Sequence, residues 1–248
     1  MSKRKAQSKQ GGAYTFVTCV LRPFMMLLTK REWRGGEYLH RDGGIIVAMN
    51  HLSWFDPFAA GHFVHDNGRP ARFLGKVQVF KIPLIGKLLL NAGQIPVARG
   101  TSAAVSSLHS AIESVNNGEC VVIYPEGTLT RDPNLWPMSA KNGVARIALT
   151  TGAPVIPAAQ WGPHKVLGPY EKFPHLFPRK TMQVHAGPPV SLDDLRGQPM
   201  TATVLKEATD RIMRDITSLL EEIRGEKAPA QPLNRDEALG TKKPEENS

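Results

Sequence analysis

Asn116-Asn117-Gly118-Glu119-Cys120-Val121-Val122-Ile123-Tyr124-Pro125-Glu126-Gly127 joins a helix end, a buried strand and a loop in one short stretch. Upstream of it, Thr101 to Asn117 reads as a helix: Ala104, Leu108, Ile112 and Val115 recur on one face, and Asn117-Gly118 supplies the stop. Cys120 to Tyr124 is an unbroken apolar run of strand length, and Pro125-Glu126-Gly127 then turns the chain outward. A helix feeding a strand that is apolar on both faces implies a mainly parallel sheet covered by helices. In such sheets the loops beyond the carboxyl ends of the strands carry function.

The same alternation extends in both directions. Gly44 to Met49 is a second buried strand, followed by a helix from about Pro57 to Val64. Short strands are expected at Arg72–Leu74 and Ile95–Val97, and the apolar stretch from Val79 to Leu90 is broken by Pro83 and Gly86. Val144–Thr151 reads as a helix, Ala153–Ala159 as a strand bracketed by prolines, and Thr181–Ala186 as another strand. A last helix from Thr201 to Arg224 carries the stripe Leu205, Ala208, Ile212, Ile216, Leu219 and Ile223. The predicted fold is α/β, a mixed, mainly parallel sheet flanked by helices, with an amphipathic helix at the membrane interface before it.

The chain has 248 residues, 41% of them hydrophobic, enough for one domain of generous size. A formal net charge of +9 points to an anionic partner: nucleic acid, a lipid surface or a phosphorylated substrate. The aromatics do not interleave with basic residues and no RNA-recognition signature is present, so nucleic acid is not expected. Cys19 and Cys120 have no Cys-x-x-Cys spacing, which argues against a disulfide framework or a zinc site and fits a reducing compartment. His62 and His65 lie near Asp66 without a further ligand, so no metal is expected and both read as partly exposed helix-end histidines.

Residues 1–12 read as a basic flexible N-terminus, 13–34 as a membrane-interface helical segment, 35–224 as the globular domain and 225–248 as a disordered tail. Arg22-Pro23 interrupts the apolar run and makes a bilayer-spanning helix unfavourable, because an arginine at mid-bilayer costs about 2.5–3.5 kcal/mol. A helix lying in the interface would bury Phe16, Val17, Val20, Leu21, Phe24, Met25 and Leu28 in lipid. Lys30, Arg31 and Arg34 would then meet anionic headgroups.

The strand ending at Met49 runs into Asn50-His51-Leu52-Ser53-Trp54-Phe55-Asp56-Pro57. A carboxylate that accepts from one imidazole nitrogen leaves the other free to take a proton, the arrangement of a general base. His51 and Asp56 are candidates for that pair. Asp56 or Ser53 could instead cap the next helix, and a His and an Asp at this spacing also arise by chance. Gly-x-Ser-x-Gly is absent, which weighs against Ser53 as a hydrolase nucleophile. Lys76 and Arg99 stand at strand or loop ends, where a phosphate could be gripped.

Four blocks taken together resemble the glycerophospholipid acyltransferases, in particular the 1-acylglycerol-3-phosphate (lysophosphatidate) acyltransferases. Asn50 to Asp56 matches Asn-His-x-Ser-x-x-Asp; Lys76, Pro83, Gly86 and Arg99 match the second block. Tyr124 to Thr128 matches an aromatic followed by Pro-Glu-Gly-Thr, and Val155-Ile156-Pro157 the fourth block, with Lys141 and Gly143 at a Lys-x-Gly position. One departure is Leu129, where the family often has arginine; here arginine comes only at Arg131.

The resemblance implies an acyltransferase domain over 35–224. Its reaction would be acyl transfer from acyl-CoA or acyl carrier protein to a hydroxyl of a glycerophosphate-type acceptor, with no cofactor and no acyl-enzyme. The default acceptor is lysophosphatidate, and glycerol 3-phosphate or another lysophospholipid is the alternative. His51 and Asp56 would be catalytic. Lys76, Arg99, Glu126, Gly127, Thr128 and Arg131 would bind substrate or, for the Glu-Gly-Thr turn, order the loop, as would Asn50 and Ser53. Anionic lipid at the cytoplasmic face of a membrane is the implied surrounding, with the protein attached from one side.

Overall fold

In a computed structural model the described residues are 11–97 and 101–240, with the first four residues of the helix at 101 described as backbone only. In chain order the elements are α1 (Gly12–Leu28), β1 (Thr29–Arg34), β2 (Ile45–Met49), α2 (Asp56–Asp66), β3 (Ala71–Lys76), α3 (Val77–Phe80), α4 (Ile85–Asn91), β4 (Ile95–Val97) and α5 (Thr101–Asn116). They continue with β5 (Cys120–Ile123), α6 (Gly143–Thr151), β6 (Val155–Trp161), α7 (Pro163–Val166), β7 (Lys180–Ala186), α8 (Ala202–Arg224) and α9 (Arg235–Ala238).

The strands form one sheet in the order β1-β7-β6-β2-β5-β3-β4. Every pairing is parallel except β6 with β7, so the sheet is mixed and mainly parallel as the apolar strands imply. Strand alternation divides the core. Ile46, Ala48, Val121 and Ile123 face the layer of α5, α6 and α8. Ile45, Val47, Met49, Cys120 and Val122 face α2 and the β1 side. Both sides are closed to water, which is why β2 and β5 read as continuous apolar runs rather than alternating ones. In register, Ala48 of β2 lies beside Ile123 of β5. The loops that follow, carrying His51 and Glu126, therefore leave the sheet at one edge.

Pro83 lies between two short helices, and Gly86 is the second residue of the later one. A Cβ on Gly86 would sit 1.9 Å from the Phe80 carbonyl oxygen, so only glycine lets α4 turn back this tightly on α3. Leu84, between them, has φ of 64° and is 85% exposed. α8 follows its expected stripe, with Thr201 accepting from Val204 N–H as N-cap.

Five expectations need correction. The segment 13–34 is not one helix: α1 ends at Leu28, and Thr29–Arg34 pairs parallel with β7 as an edge strand. Met25 and Leu28 are buried against the body, with Met25 packed among Phe55, Ala59 and Met182. Arg31 is engaged by Asp66, together with Arg22 and the Trp33 indole N–H. His62, expected to be partly exposed, is buried against the Trp33 ring, and burial pushes its pKa down. Finally, the described part of the tail, up to residue 240, is ordered: it packs Ala228 beside Trp136 and Leu220 and forms α9.

Candidate active site

Asp56 opens α2 with Pro57 behind it, yet neither Asp56 nor Ser53 acts as a helix cap. The chain turns so tightly after β2 that the Asp56 carboxylate folds back over the loop preceding it. Its Oδ2 accepts from His51 Nδ1 at 2.8 Å and from the N–H groups of Leu52 at 2.5 Å and Ser53 at 2.9 Å. An oxygen already accepting from two main-chain N–H groups takes the imidazole as a third donor, so Nδ1 carries the proton. Nε2 then has its lone pair free, makes no hydrogen bond among the described residues and is not sealed from solvent. Burial raises the Asp56 pKa, while the His51 hydrogen bond and charge and the two amides pull the other way.

The imidazole is held by faces as well as by bonds. Tyr124 stacks on it with centroids 4.1 Å apart and planes 12° apart, and Trp54 meets it edge-on at 6.1 Å. The Tyr124 hydroxyl is buried, and burial followed by the Asp56 charge pushes its pKa well above the usual value. Lys76 Nζ lies over the Trp54 ring at 4.4 Å, which brings a cation onto the aromatic that meets the imidazole. Arg131 stands farther round the loop, its guanidinium over Tyr170 at 4.5 Å.

Glu126, expected to bind substrate or to order the loop, is turned inward. Its Oε1 accepts from His51 N–H and its Oε2 from Met138 N–H, both at 3.0 Å, and it is wholly buried. It orders the loop, and burial raises its pKa to about 8. The outward part of the turn is Gly127, exposed at φ of 67°, and Thr128, half-buried. Leu129 is fully buried, so the residue at the family's arginine position belongs to the core. Arg99 lies outside the described residues.

Asn50 and Ser53 are both tied into neighbouring main chain by hydrogen bonds. Asn50 exchanges two side-chain hydrogen bonds with the Gln160 main chain at 3.1 and 2.8 Å, while the Gln160 side chain returns one to Asn50 O at 3.0 Å. The Ser53 hydroxyl donates to Leu167 O at 2.6 Å and accepts from Phe55 N–H at 2.9 Å. A hydroxyl committed twice in this way is poorly placed to act as a nucleophile. Sequence reading missed Tyr124 as a stacking partner and Gln160 altogether. Tyr124 carried a signal, an aromatic at the end of the strand beside the histidine's; Gln160 carried none.

The acyltransferase family profile matches residues 30–161. A chloroplastic 1-acyl-sn-glycerol-3-phosphate acyltransferase of Brassica napus is 32% identical over 140 residues, 56% of this chain and 39% of the relative. A 1-acyl-sn-glycerol-3-phosphate acyltransferase of Bacillus subtilis is 26% identical over 212 residues, 85% of this chain and 100% of the relative. The chain thus spans well under half of the plant relative and the whole of the bacterial one. The crystal structure of the 1-acyl-sn-glycerophosphate acyltransferase of Thermotoga maritima superposes with a TM-score of 0.64 at 23% identity, covering 87% of this chain and 83% of that one. That likeness shows a shared fold.

Proposed function

The chain belongs to the acyltransferase family, and on that premise we propose that it esterifies a hydroxyl of 1-acylglycerol 3-phosphate with a fatty acyl group from an acyl thioester, His51 acting as general base. The observation that carries the reading is the His51 Nδ1–Asp56 Oδ2 bond of 2.8 Å, which leaves Nε2 unbonded. Nε2 takes the acceptor's hydroxyl proton as the oxygen attacks the thioester carbonyl. The tetrahedral intermediate expels thiolate, which recovers the proton from the imidazolium, giving ester and free thiol. Asp56 and the Tyr124 face both lie against the ring on which positive charge develops in the transition state. General-base catalysis of this kind is worth about 10²–10⁴-fold.

Lys76 and Arg131, with Arg99, are the cations assigned to the phosphate head and to the anionic carrier of the acyl group. The burial of Leu129 favours a head held from other positions, which keeps glycerol 3-phosphate and other lysophospholipids as alternative acceptors. The test is thiol release from palmitoyl-CoA and oleoyl-CoA with each acceptor in turn. Lysophosphatidate should give the highest kcat/KM, and wild-type release by a His51→Ala variant would sink the mechanism.

The long acyl groups call for a lipid surface. Among the described residues no helix is long and apolar enough to cross a membrane. α1 nevertheless exposes Phe16, Val20, Phe24 and Leu27 on one flank, Phe16 by 61% and Leu27 by 70%, and Leu84 projects from the α3–α4 turn. With the net charge of +9, these support attachment to one face of an anionic membrane, on the cytoplasmic side.

A further inference from the structure

We propose that residues 225–240 are part of the active site: a C-terminal strap in which Arg235 is a positioning residue for the loop that holds His51. The proposal rests on the acyl-transfer reading of that site. Between β5 and α6 the chain makes a long excursion without regular structure, the kind of loop that needs fastening if it is to hold a catalytic group still. Some fasteners are its own. Asp132 Oδ1 accepts from Asn134 and Trp136 N–H, and the Thr130 hydroxyl donates to Trp136 O.

The other fasteners come from the C-terminus. Arg224, closing α8, lies between the rings of Trp136 and Trp161 at 3.9 and 4.5 Å and donates to Asn134 O at 2.7 Å. After Gly225 the chain turns back over the loop. Ser139 N–H donates to Leu233 O and Arg235 N–H to the Ser139 hydroxyl, both at 3.0 Å. Arg235 Nε then donates to Glu126 O at 2.8 Å, and Asp236 pairs with its NH1. The Asn234 side chain accepts from Asp236 and Glu237 N–H, fixing the residue just before Arg235. The Arg235 side chain is only 11% exposed, although its neighbours in sequence are polar. A guanidinium enters so dry a place with partners, and here the Glu126 carbonyl takes its Nε–H and the Asp236 carboxylate one N–H of Nη1.

One residue separates this contact from the imidazole. The same Glu126 whose carbonyl Arg235 grips uses its carboxyl group to hold His51 N–H. From the same loop Thr130 N–H donates to His51 O at 2.8 Å, so the main chain of His51 is bracketed on both sides by the strapped segment. Lifting the strap leaves His51 and Asp56 in place in sequence but lets Nε2 wander from its line of attack. Arg235 touches no reacting atom; it acts through Glu126.

The experiment compares the full-length protein with Arg235→Ala, Arg235→Lys and a chain ending at Gly225. It reads kcat and KM with palmitoyl-CoA and lysophosphatidate, Tm, and hydrogen exchange at the His51 and Met138 amides. Arg235→Ala should lower kcat roughly tenfold with KM for palmitoyl-CoA little changed, and speed exchange at those two amides selectively. Arg235→Lys should recover part of the loss, and truncation should exceed it. Wild-type kcat with wild-type exchange in Arg235→Ala overturns the proposal. So does a rise in exchange spread over the whole sheet, which marks a merely structural tail. A wild-type protein that transfers no acyl group, yet shows strap-dependent exchange at His51, retires the acyl-transfer reading and leaves the strap standing.

Discussion

The carboxyl edge of the sheet and the outer flank of α1 violate opposite rules of a folded surface. At the edge, Asn50, Asp56 and Glu126 are polar groups with no exposure at all. On the flank, Phe16, Val20, Phe24 and Leu27 are apolar groups left in water. The edge repays its burial internally, since the Asp56 and Glu126 carboxyl groups together accept from His51 twice and from three further main-chain N–H groups. The flank has no such internal answer. A buried polar knot bonded mostly from within, with Asp56 Oδ1 left without a partner among the described residues, is built to hold one geometry, and an unsatisfied apolar face is built to meet something outside.

Substitutions can test that contrast. His51→Ala should produce the largest effect, a loss of about 10²–10⁴-fold in kcat/KM with little change in Tm, read by thiol release. If Tm fell with activity, the edge would be a folding element first and a site second. Asp56→Asn should cost about 100-fold in kcat and also lower Tm, because a neutral amide oxygen accepts less strongly from the three N–H groups that converge on Oδ2, and its NH2 would bring donors to the dry place of the partnerless Oδ1. On the flank the pattern should invert. Phe16→Ser with Phe24→Ser should weaken binding to phosphatidylglycerol vesicles about tenfold or more, measured by sedimentation, with Tm nearly unmoved. A clear loss of Tm there would mean the flank packs against something in the folded chain.

Glu126 offers the smallest and most diagnostic effect. Its folded pKa, raised to about 8 from the model-compound value of 4.5, means that the folded state holds this proton more tightly than the unfolded one. Stability therefore falls as pH rises from about 4.5 to about 8 and levels off above that. Glu126→Gln should flatten this part of the pH profile in denaturant titrations. It should also destabilise the protein by about 1–2 kcal/mol at pH 5, where the amide replaces an acceptor of two N–H groups. An unchanged slope between pH 5 and pH 8 would assign the titration elsewhere.

What could be read in advance was local. β2 and β5 announce themselves because both faces are covered, and the His51–Asp56 pair lies within one turn of chain. Thr29–Arg34 went unread because an edge strand of Lys, Arg and Glu has no apolar pattern; its partner β7 lies some 150 residues away, as the Thr29–Lys180 register shows. The antiparallel turn of β7 against β6 was equally silent, since helix-strand alternation speaks only for parallel neighbours. For Glu126 the sequence leaves substrate binding and loop ordering both open, because carboxylates usually face water and nothing in Pro-Glu-Gly-Thr says that two main-chain N–H groups await it. The tail looked empty because its composition is polar. Its hold on the loop comes from main-chain bonds and one arginine rather than from an apolar stripe.

Asp66 bolts α1 down. Arg22 from the helix and Arg31 from the strand after it converge on that one carboxylate, each at 3.0 Å. An amphipathic segment on a loose leash would let its cargo drift at any angle above the lipid. In the membrane attachment proposed above, α1 fixed in this way would act as a keel: the tilt of the whole sheet against the bilayer, and with it the height of the imidazole above the headgroups, would be decided when the chain folds and not anew at each landing.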